Sequence, residues 1–535
     1  VRDWAAQDPD PRTRAELTTW IERAEQGDPA AAAELADAFA GRLQFGTAGL
    51  RGRMGPGPNR MNRVVVSQAA AGLGRYLART GAAAGRVLIG YDARHNSERF
   101  ARDSAEILAG AGFEVLLTAG PVPTPLVAYG IGHFGCAAAV VVTASHNPAA
   151  DNGYKVYLGD GCQIVPPADA EIATEIAAVA EVPLGELARS PRYRLVGAEL
   201  AEAYLDRIAT LVAAAAPREV RWVYTPLHGV GAATVRQAVA RAGFPAALEV
   251  AAQAEPDPDF PTVAFPNPEE PGALDLALEL ARTEGVDLVI ANDPDADRCA
   301  AAIEQDGQWR MLRGDELGVL LGDQALRRGV QGTYAASVVS GSLLGRLARA
   351  AGQPYVTTLT GFKWIARTPG LVFGYEEALG YCTDPAAVRD KDGISALIRL
   401  LALAAELKAE GRTLADRLAE IEQEHGVYAT DQLAYRVADL SLITGAMARL
   451  RADPPTTLLG EPVRFVDLAE GGALPPTDAV RLGGASVTVT VRPSGTEPKL
   501  KCYLEARSPV GSANPLDRLK AEVQGLVDGY LDVVR

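Results

Sequence analysis

A serine and a histidine stand side by side in Thr143-Ala144-Ser145-His146-Asn147-Pro148. The stretch follows an apolar run of strand length, residues 136–142, and precedes residues 149–155, which read as a loop ending in Asn-Gly-Tyr-Lys. Ligands of open α/β sheets bind at the carboxyl ends of strands. A serine there can act as a nucleophile, and an adjacent imidazole can move its proton. The plainer reading is a Ser/Asn/Pro turn with an ordinary loop histidine.

Asn292-Asp-Pro-Asp-Ala-Asp-Arg298 follows a second apolar strand, residues 286–290. Three carboxylates at alternate positions repel one another unless a cation sits among them, and hard divalent cations prefer such oxygen donors. Asp293, Asp295 and Asp297 are therefore candidate metal ligands. Their spacing, with Glu304, mimics an EF-hand loop. Arg298 stands where the sharp-turn glycine would be, however, and the flanks read as strands. A haloacid-dehalogenase type Asp-x-Asp reading meets Asp297 where Thr or Val is expected. A solvated acidic turn is the remaining alternative.

Arg492-Pro-Ser-Gly-Thr-Glu-Pro-Lys499 follows an alternating strand, residues 485–492. Arg492, Ser494, Thr496 and Lys499 offer side-chain donors, and the turn at Gly495 can present backbone N–H groups, a set that suits phosphate. Glu376 and Glu377, in Gly374-Tyr-Glu-Glu-Ala-Leu-Gly380, are acceptors for sugar hydroxyls or candidate acids and bases. Only seven of the 52 basic residues are lysine, and five of these (Lys155, Lys363, Lys391, Lys499, Lys501) lie in or beside such loops. Lysine, unlike arginine, readily changes its pKa and acts as a compact point charge. A nucleophile, a metal site, a hydroxyl-binding site and a phosphate clamp together suit metal-assisted phosphoryl transfer on a phosphorylated polyol.

The elements that carry these loops alternate. Residues 1–40 read as helical. Strands at 87–90 and 113–117 enclose a helix at 97–110, and Pro121-Val-Pro-Thr-Pro125 follows. The pattern restarts at 219–224 and again at 332–339, with a later strand at 371–373, so three similar α/β domains are expected. From about residue 426 an alternating strand and a helix from Pro515 predict a smaller α+β domain. The expected divisions are 1–190, 191–308, 309–425 and 426–535. At 535 residues the chain is too long for one core, and about four domains fit the usual ~100–150 residues each.

The net charge of −15 argues against nucleic-acid or anionic-membrane binding, though a local cationic cleft can still take a small anion. No apolar run reaches the ~20 residues needed to span a bilayer, and residues 1–4 show no signal-peptide pattern. Five dispersed cysteines without CxxC pairing predict a reducing, cytoplasmic location and no structural zinc.

With these motifs in this order, the chain resembles the α-D-phosphohexomutase superfamily, which includes phosphoglucomutases and phosphomannomutases. Residues 143–148 look like its phosphoserine loop, 293–298 its metal loop, 375–380 its sugar loop and 492–499 its phosphate loop. Residues 44–52, 257–268 and 360–364 resemble a branch of longer bacterial mutases that also contains animal phosphopentomutase and glucose-1,6-bisphosphate synthase.

The resemblance implies three related α/β domains and a C-terminal domain like the TATA-binding-protein fold, around a central cleft. It implies a phosphorylated Ser145 and Mg²⁺ held by Asp293, Asp295, Asp297 and a phosphoserine oxygen. Arg298 would contact the phosphoserine, and Arg51, His146 and Lys155 would position groups or move protons. Lys363, Glu376 and Glu377 would meet the sugar, while Arg492, Ser494, Gly495, Thr496 and Lys499 would hold the unreacting phosphate. The implied reaction interconverts hexose 1- and 6-phosphates through a hexose 1,6-bisphosphate, which also serves as activator, in a monomer or homodimer. Ala378 replaces a serine of many relatives and removes one hydroxyl contact to the sugar. A phosphopentomutase, a bisphosphate synthase and a non-catalytic sugar-phosphate-binding protein are the alternatives.

Overall fold

The structure, a computed structural model, describes residues 1–46, 49–437, 439–494 and 499–531. The chain forms two compact units: Val1–Arg310 with Gly380–Ala409, and Met311–Leu379 with Glu410–Arg535.

The first unit opens with three helices, Arg2–Gln7, Pro11–Glu25 and Pro29–Ala38. Asp10 and Asp28 cap the latter two, each followed by a proline at the first helical position, where its missing N–H costs nothing. Six strands then make a mixed sheet: β1 (Leu50–Arg53), β2 (Arg86–Tyr91), β3 (Glu114–Thr118), β4 (Ala138–Val142), β5 (Asp151–Leu158) and β6 (Arg194–Val196), in the order β1-β5-β4-β2-β3-β6. β4, β2, β3 and β6 run parallel, and β5 is antiparallel to both β4 and β1.

Val87, Ile89, Val115, Leu117, Val140 and Val142 alternate onto one face. There they share a core with Val65, Leu73, Phe100 and Leu108 of the helices Arg63–Arg79 and Ser97–Gly110. Helix Thr124–Phe134 packs against β2 and β4. Covered strands of this kind read as continuous apolar runs, which is why β4 was legible.

Two expectations change here. Residues 151–155 are strand, not loop. Asn-Gly signals a turn, but Asn152 lies buried in β5 with its amide donating to the His95 carbonyl and the Ser97 hydroxyl, at 2.9 and 3.0 Å. Gly153 is there because β5 passes so close to Thr143 that a Cβ would sit 2.5 Å from its carbonyl oxygen. The first sheet also runs past residue 190, since β6 pairs with β3.

A second sheet has the order β11-β10-β9-β7-β8, from β7 (Trp222–Thr225), β8 (Leu248–Glu249), β9 (Leu288–Ala291), β10 (Ala300–Gln305) and β11 (Gln308–Met311). β7, β8 and β9 are parallel, and β10 turns back antiparallel to β9. Residues 380–409, with strand Gly380–Cys382 and helix Gly393–Ala409, fall in this unit. Arg298 bridges Gly380, and the buried Asp392 at the helix start is bound by the hydroxyl of buried Tyr204 at 2.8 Å.

In the second unit Tyr355–Thr358, Thr333–Ser337 and Leu371–Glu376 run parallel in that order, with helices Gly314–Arg327 and Leu343–Ala350 packed on them. The C-terminal region is an antiparallel sheet in the order Val427–Arg436, Lys499–Ser508, Val487–Pro493, Val480–Gly483, Arg464–Asp467. Helices Leu440–Ala452 and Leu516–Tyr530 share a core with it through Met447, Val489, Leu504, Leu519 and Val523. The fold is thus three mixed α/β domains plus an α+β domain. Among the described residues no helix is long and apolar enough to cross a membrane.

Candidate active site

Two strand ends of the first unit carry most of the candidate residues. β4 leads into Ser145 and β9 into Asp293. Ser145 is 3% exposed and adopts φ +52°, a left-handed conformation uncommon for a residue with a side chain. Its N–H donates to the Thr143 hydroxyl at 2.9 Å, which fixes the turn. Its own hydroxyl donates to Asp293 Oδ2 at 2.7 Å and lies 3.1 Å from His146 Nδ1. The sequence neighbours Ser145 and His146, and the distant Asp293, therefore meet at one oxygen.

Asp293, Asp295 and Asp297 are each at most 1% exposed. Ligand-capable oxygens of all three lie within 4.8 Å of one another. Buried carboxylates so close need compensation. Lys155, from β5, donates to Asp295 Oδ2 and Asp297 Oδ2, both at 2.7 Å. Lys391 Nζ is 3.3 Å from Asp297. The Arg298 N–H donates to Asp293 Oδ1 at 3.0 Å.

Burial opposes ionisation of Asp297, but Lys155, Lys391 and Arg298 together hold it well below the usual carboxylate range. Asp295 is likewise low, with Lys155 and Thr124 overcoming burial and the Asp297 charge. Asp293 is pushed well up, first by burial and then by its two acidic neighbours.

One oxygen each of Asp295 and Asp297 is buried with no hydrogen-bond partner. Two orphaned carboxylate oxygens in an all-oxygen donor set, with no His or Cys, fit a hard divalent cation. The EF-hand alternative fails on its flanks, because β9 and β10 bracket the loop. The aspartate loop is also braced from behind. Gly229 approaches so near that a Cβ would lie 2.3 Å from Pro294 Cα.

Burial lowers the His146 imidazole well below its ordinary value, and Arg298 and Arg51 add to the effect, so the ring is neutral at neutral pH. Arg51, on β1, donates to the Asn147 side chain at 3.3 Å. Ser145, His146, Arg51, Lys155, Arg298 and the three aspartates, chosen from sequence, thus converge.

Three further contributors escaped that reading. Thr124 donates to Asp295 Oδ2 at 2.6 Å and its N–H to the Asp295 carbonyl at 2.9 Å. The proline-rich run at 121–125 was the visible signal for it. Lys391 was noted only as a loop lysine. Arg94 binds the serine loop and had no signal beyond its Tyr-Asp-Ala-Arg context.

In the second unit Glu376 ends strand Leu371–Glu376 and is 8% exposed. Glu377 Oε2 accepts from the Ser337 and Ser340 hydroxyls at 3.0 and 3.1 Å. Burial, then the Asp315 charge, raises its pKa. Lys363 lies on the short helix Phe362–Ile365. Arg492 and Lys501 are register partners on adjacent strands, and the Ser494 N–H donates to the Lys499 carbonyl at 2.8 Å. Gly495 and Thr496 lie outside the described residues.

Four family models match in order, all described as phosphoglucomutase/phosphomannomutase: α/β/α domain I at residues 42–182, domain II at 202–307, domain III at 313–425 and the C-terminal domain at 446–519. A Haemophilus influenzae protein named "probable phosphomannomutase" is 46% identical over 86% of this chain and 96% of its own length. Human phosphopentomutase is 34% identical over 92% of this chain and 89% of its own. The solved open form of the Paramecium phosphoglucomutase parafusin superposes with a TM-score of 0.70 over 92% of this chain and 95% of that one. At 19% identity, that likeness speaks for the fold alone.

Proposed function

The chain belongs to the phosphoglucomutase/phosphomannomutase family, and on that premise we propose that it interconverts hexose 1-phosphate and hexose 6-phosphate, glucose or mannose, through phosphorylated Ser145. It is a phosphosugar mutase, an intramolecular phosphotransferase. The observation that carries the proposal is the Ser145 hydroxyl at 2.7 Å from Asp293 and 3.1 Å from His146, beside two unpartnered carboxylate oxygens.

Phosphorylated Ser145 gives its phosphoryl group to the free hydroxyl of the bound monophosphate. The P–O bond to serine breaks as the bond to the sugar forms. His146, neutral, takes the proton of the attacking sugar hydroxyl while the leaving Ser145 oxygen gains one, and the exchange reverses when the second phosphoryl group of the bisphosphate comes back to Ser145. A divalent cation, Mg²⁺ for this donor set, would neutralise charge on the transferring group. Asp293, Asp295 and Asp297 would hold it together with a Ser145 phosphate oxygen. Lys155 keeps two of the three aspartates ionised and in place, and Arg51 and Arg298 add positive charge for the phosphoryl oxygens.

Lys363, Glu376 and Glu377 are assigned to the sugar and its hydroxyls. Arg492, Ser494, Gly495, Thr496 and Lys499 are assigned to the phosphate that stays put. A hexose 1,6-bisphosphate would re-prime dephosphorylated Ser145. Five dispersed cysteines, all buried, are consistent with a reducing cytoplasmic setting.

The human relative named phosphopentomutase, and Ala378 in place of a hydroxyl, favour a pentose as the second reading. A panel of glucose, mannose, glucosamine and ribose 1-phosphates with Mg²⁺ and bisphosphate tests both. Glucose or mannose should give the highest kcat/KM. Faster turnover of ribose 1-phosphate would move the assignment to the pentose, and no turnover of any would overturn it.

A further inference from the structure

The Arg94 side chain is 1% exposed, and Arg94 gathers the backbone of the serine loop. Its Nη2 donates to the Ser145 carbonyl at 2.7 Å and to the Asn147 carbonyl. Its Nη1 donates to Pro148 at 2.8 Å and reaches the Asp151 carbonyl at 3.3 Å. Four carbonyls of one seven-residue stretch point at a single guanidinium. Without a cation between them their dipoles repel, and among the described residues only the Pro148 carbonyl is seen to have a second donor, the Asp151 N–H at 3.0 Å.

Arg94 is itself fixed on two sides. Asp92 lies 3.4 Å from its Nε, accepts the Arg94 N–H at 3.0 Å and is held by the Ser97 hydroxyl at 2.6 Å. The ring of Phe260, 4% exposed and itself at φ +47°, stacks under the guanidinium at 4.8 Å. Phe260 belongs to the Asp- and Pro-rich segment 257–268, to which the mechanism above gives no task. The same two segments meet again where His95 Nε2 lies 2.7 Å from Asp259.

We propose that Arg94, backed by Phe260, is a positioning residue for phosphoryl transfer: it holds the serine loop in the left-handed turn that aims the Ser145 oxygen at Asp293 and His146. The proposal rests on Ser145 being the phosphoryl carrier. Arg94 touches no reacting atom. It binds carbonyls of residues 145–151, so its loss should displace the serine oxygen while leaving substrate contacts in place. A lysine cannot replace it, because a point charge does not reproduce a planar fork of donors.

The test compares the full chain with Arg94→Lys, Arg94→Met and Phe260→Leu variants. Steady-state turnover of glucose 1-phosphate is read alongside the rate at which glucose 1,6-bisphosphate phosphorylates Ser145, followed by intact mass. Displacement of about 1 Å should lower kcat and the phosphorylation rate by about 10²-fold in both Arg94 variants, with KM nearly unchanged. Phe260→Leu should fall in the same direction by less.

Millimolar guanidinium should restore part of the Arg94→Met rate, which a merely unfolded chain would not show. An Arg94→Met chain that melts like wild type and keeps its kcat overturns the proposal. If that variant does not fold, normal kcat in both Arg94→Lys and Phe260→Leu overturns it equally. Wild-type protein that acquires no phosphate on Ser145 would instead overturn the functional reading beneath it.

Discussion

At Ser145 one hydroxyl meets a carboxylate and an imidazole at once, and the proposed chemistry depends on it. Ser145→Ala should lower kcat by at least ~10³-fold, equivalent to about 4 kcal/mol of barrier. Intact mass should show a phosphate adduct on wild type and none on the variant. Near-normal turnover by the alanine chain would end the covalent mechanism. The parts of this site that were legible in sequence share a trait: their residue types are costly where they stand. Three alternate aspartates after an apolar strand demand a cation, and a Ser-His pair after another invites a nucleophile. Thr124 and Arg94 were not legible, because threonine and arginine occur everywhere and their partners lie 171 and 51 residues away. Only the fold gives them meaning.

Elements bring those residues together, and two of them make predictions. Helix Gly393–Ala409 is started by Asp392, whose Oδ1 accepts the N–H groups of Ile394 and Ser395, both at 3.0 Å. Burial raises its carboxyl to about 6, with the hydrogen bonds from Ser395, Tyr204 and Ile394 only partly offsetting this. The unfolded chain titrates this group near ~3.9, so between about pH 4 and 6 the folded protein binds the extra proton. The group's contribution therefore falls as pH rises through that window and is level above it. Relative to Asp392→Asn, wild type should lose on the order of 2–3 kcal/mol between pH 4 and 7. Urea midpoints of the two chains at both pH values would check this, and a constant difference would refute it.

The second case is Gly229, where a methyl group would enter Pro294 of the aspartate loop. Gly229→Ala should cost about 1–3 kcal/mol and weaken metal binding, read by denaturation and by calorimetry with Mg²⁺. Unchanged metal affinity would show that the brace does not shape the loop. Most elements were legible from periodicity, including Ser97–Gly110 and the buried run of β4. β5 was not, because Asn-Gly is a local turn signal. Pairing on both sides, with β1 and β4, outweighs it, and no local window contains that fact.

Across the whole molecule the net charge is −15, yet the aspartates beside Ser145 are surrounded by cations. Lys155, Lys391 and Arg298 hold Asp295 and Asp297 ionised or brace Asp293, whose own carboxyl is pushed up, and Arg51 is felt there as well. These groups sit in buried surroundings, where an added charge is poorly screened. A phosphoryl group on Ser145 adds about −1.5 to −2, and a divalent cation adds the opposite. Within that buried space the two charges attract each other. At ~4 Å and an effective dielectric of about 20, a unit pair is worth about 4 kcal/mol, ample for strong coupling after desolvation. Mg²⁺ should thus bind the phosphorylated chain at least ~10-fold more tightly than Ser145→Ala, and by linkage Mg²⁺ should stabilise the phosphorylated form. Titration calorimetry on the two chains measures the ratio, and the Mg²⁺-induced rise in melting temperature should follow the same order. Equal affinities would mean that the phosphoryl charge on Ser145 does not reach the metal. Asp293, which carries the Ser145 proton contact, would then bind metal in a form that ignores the phosphate.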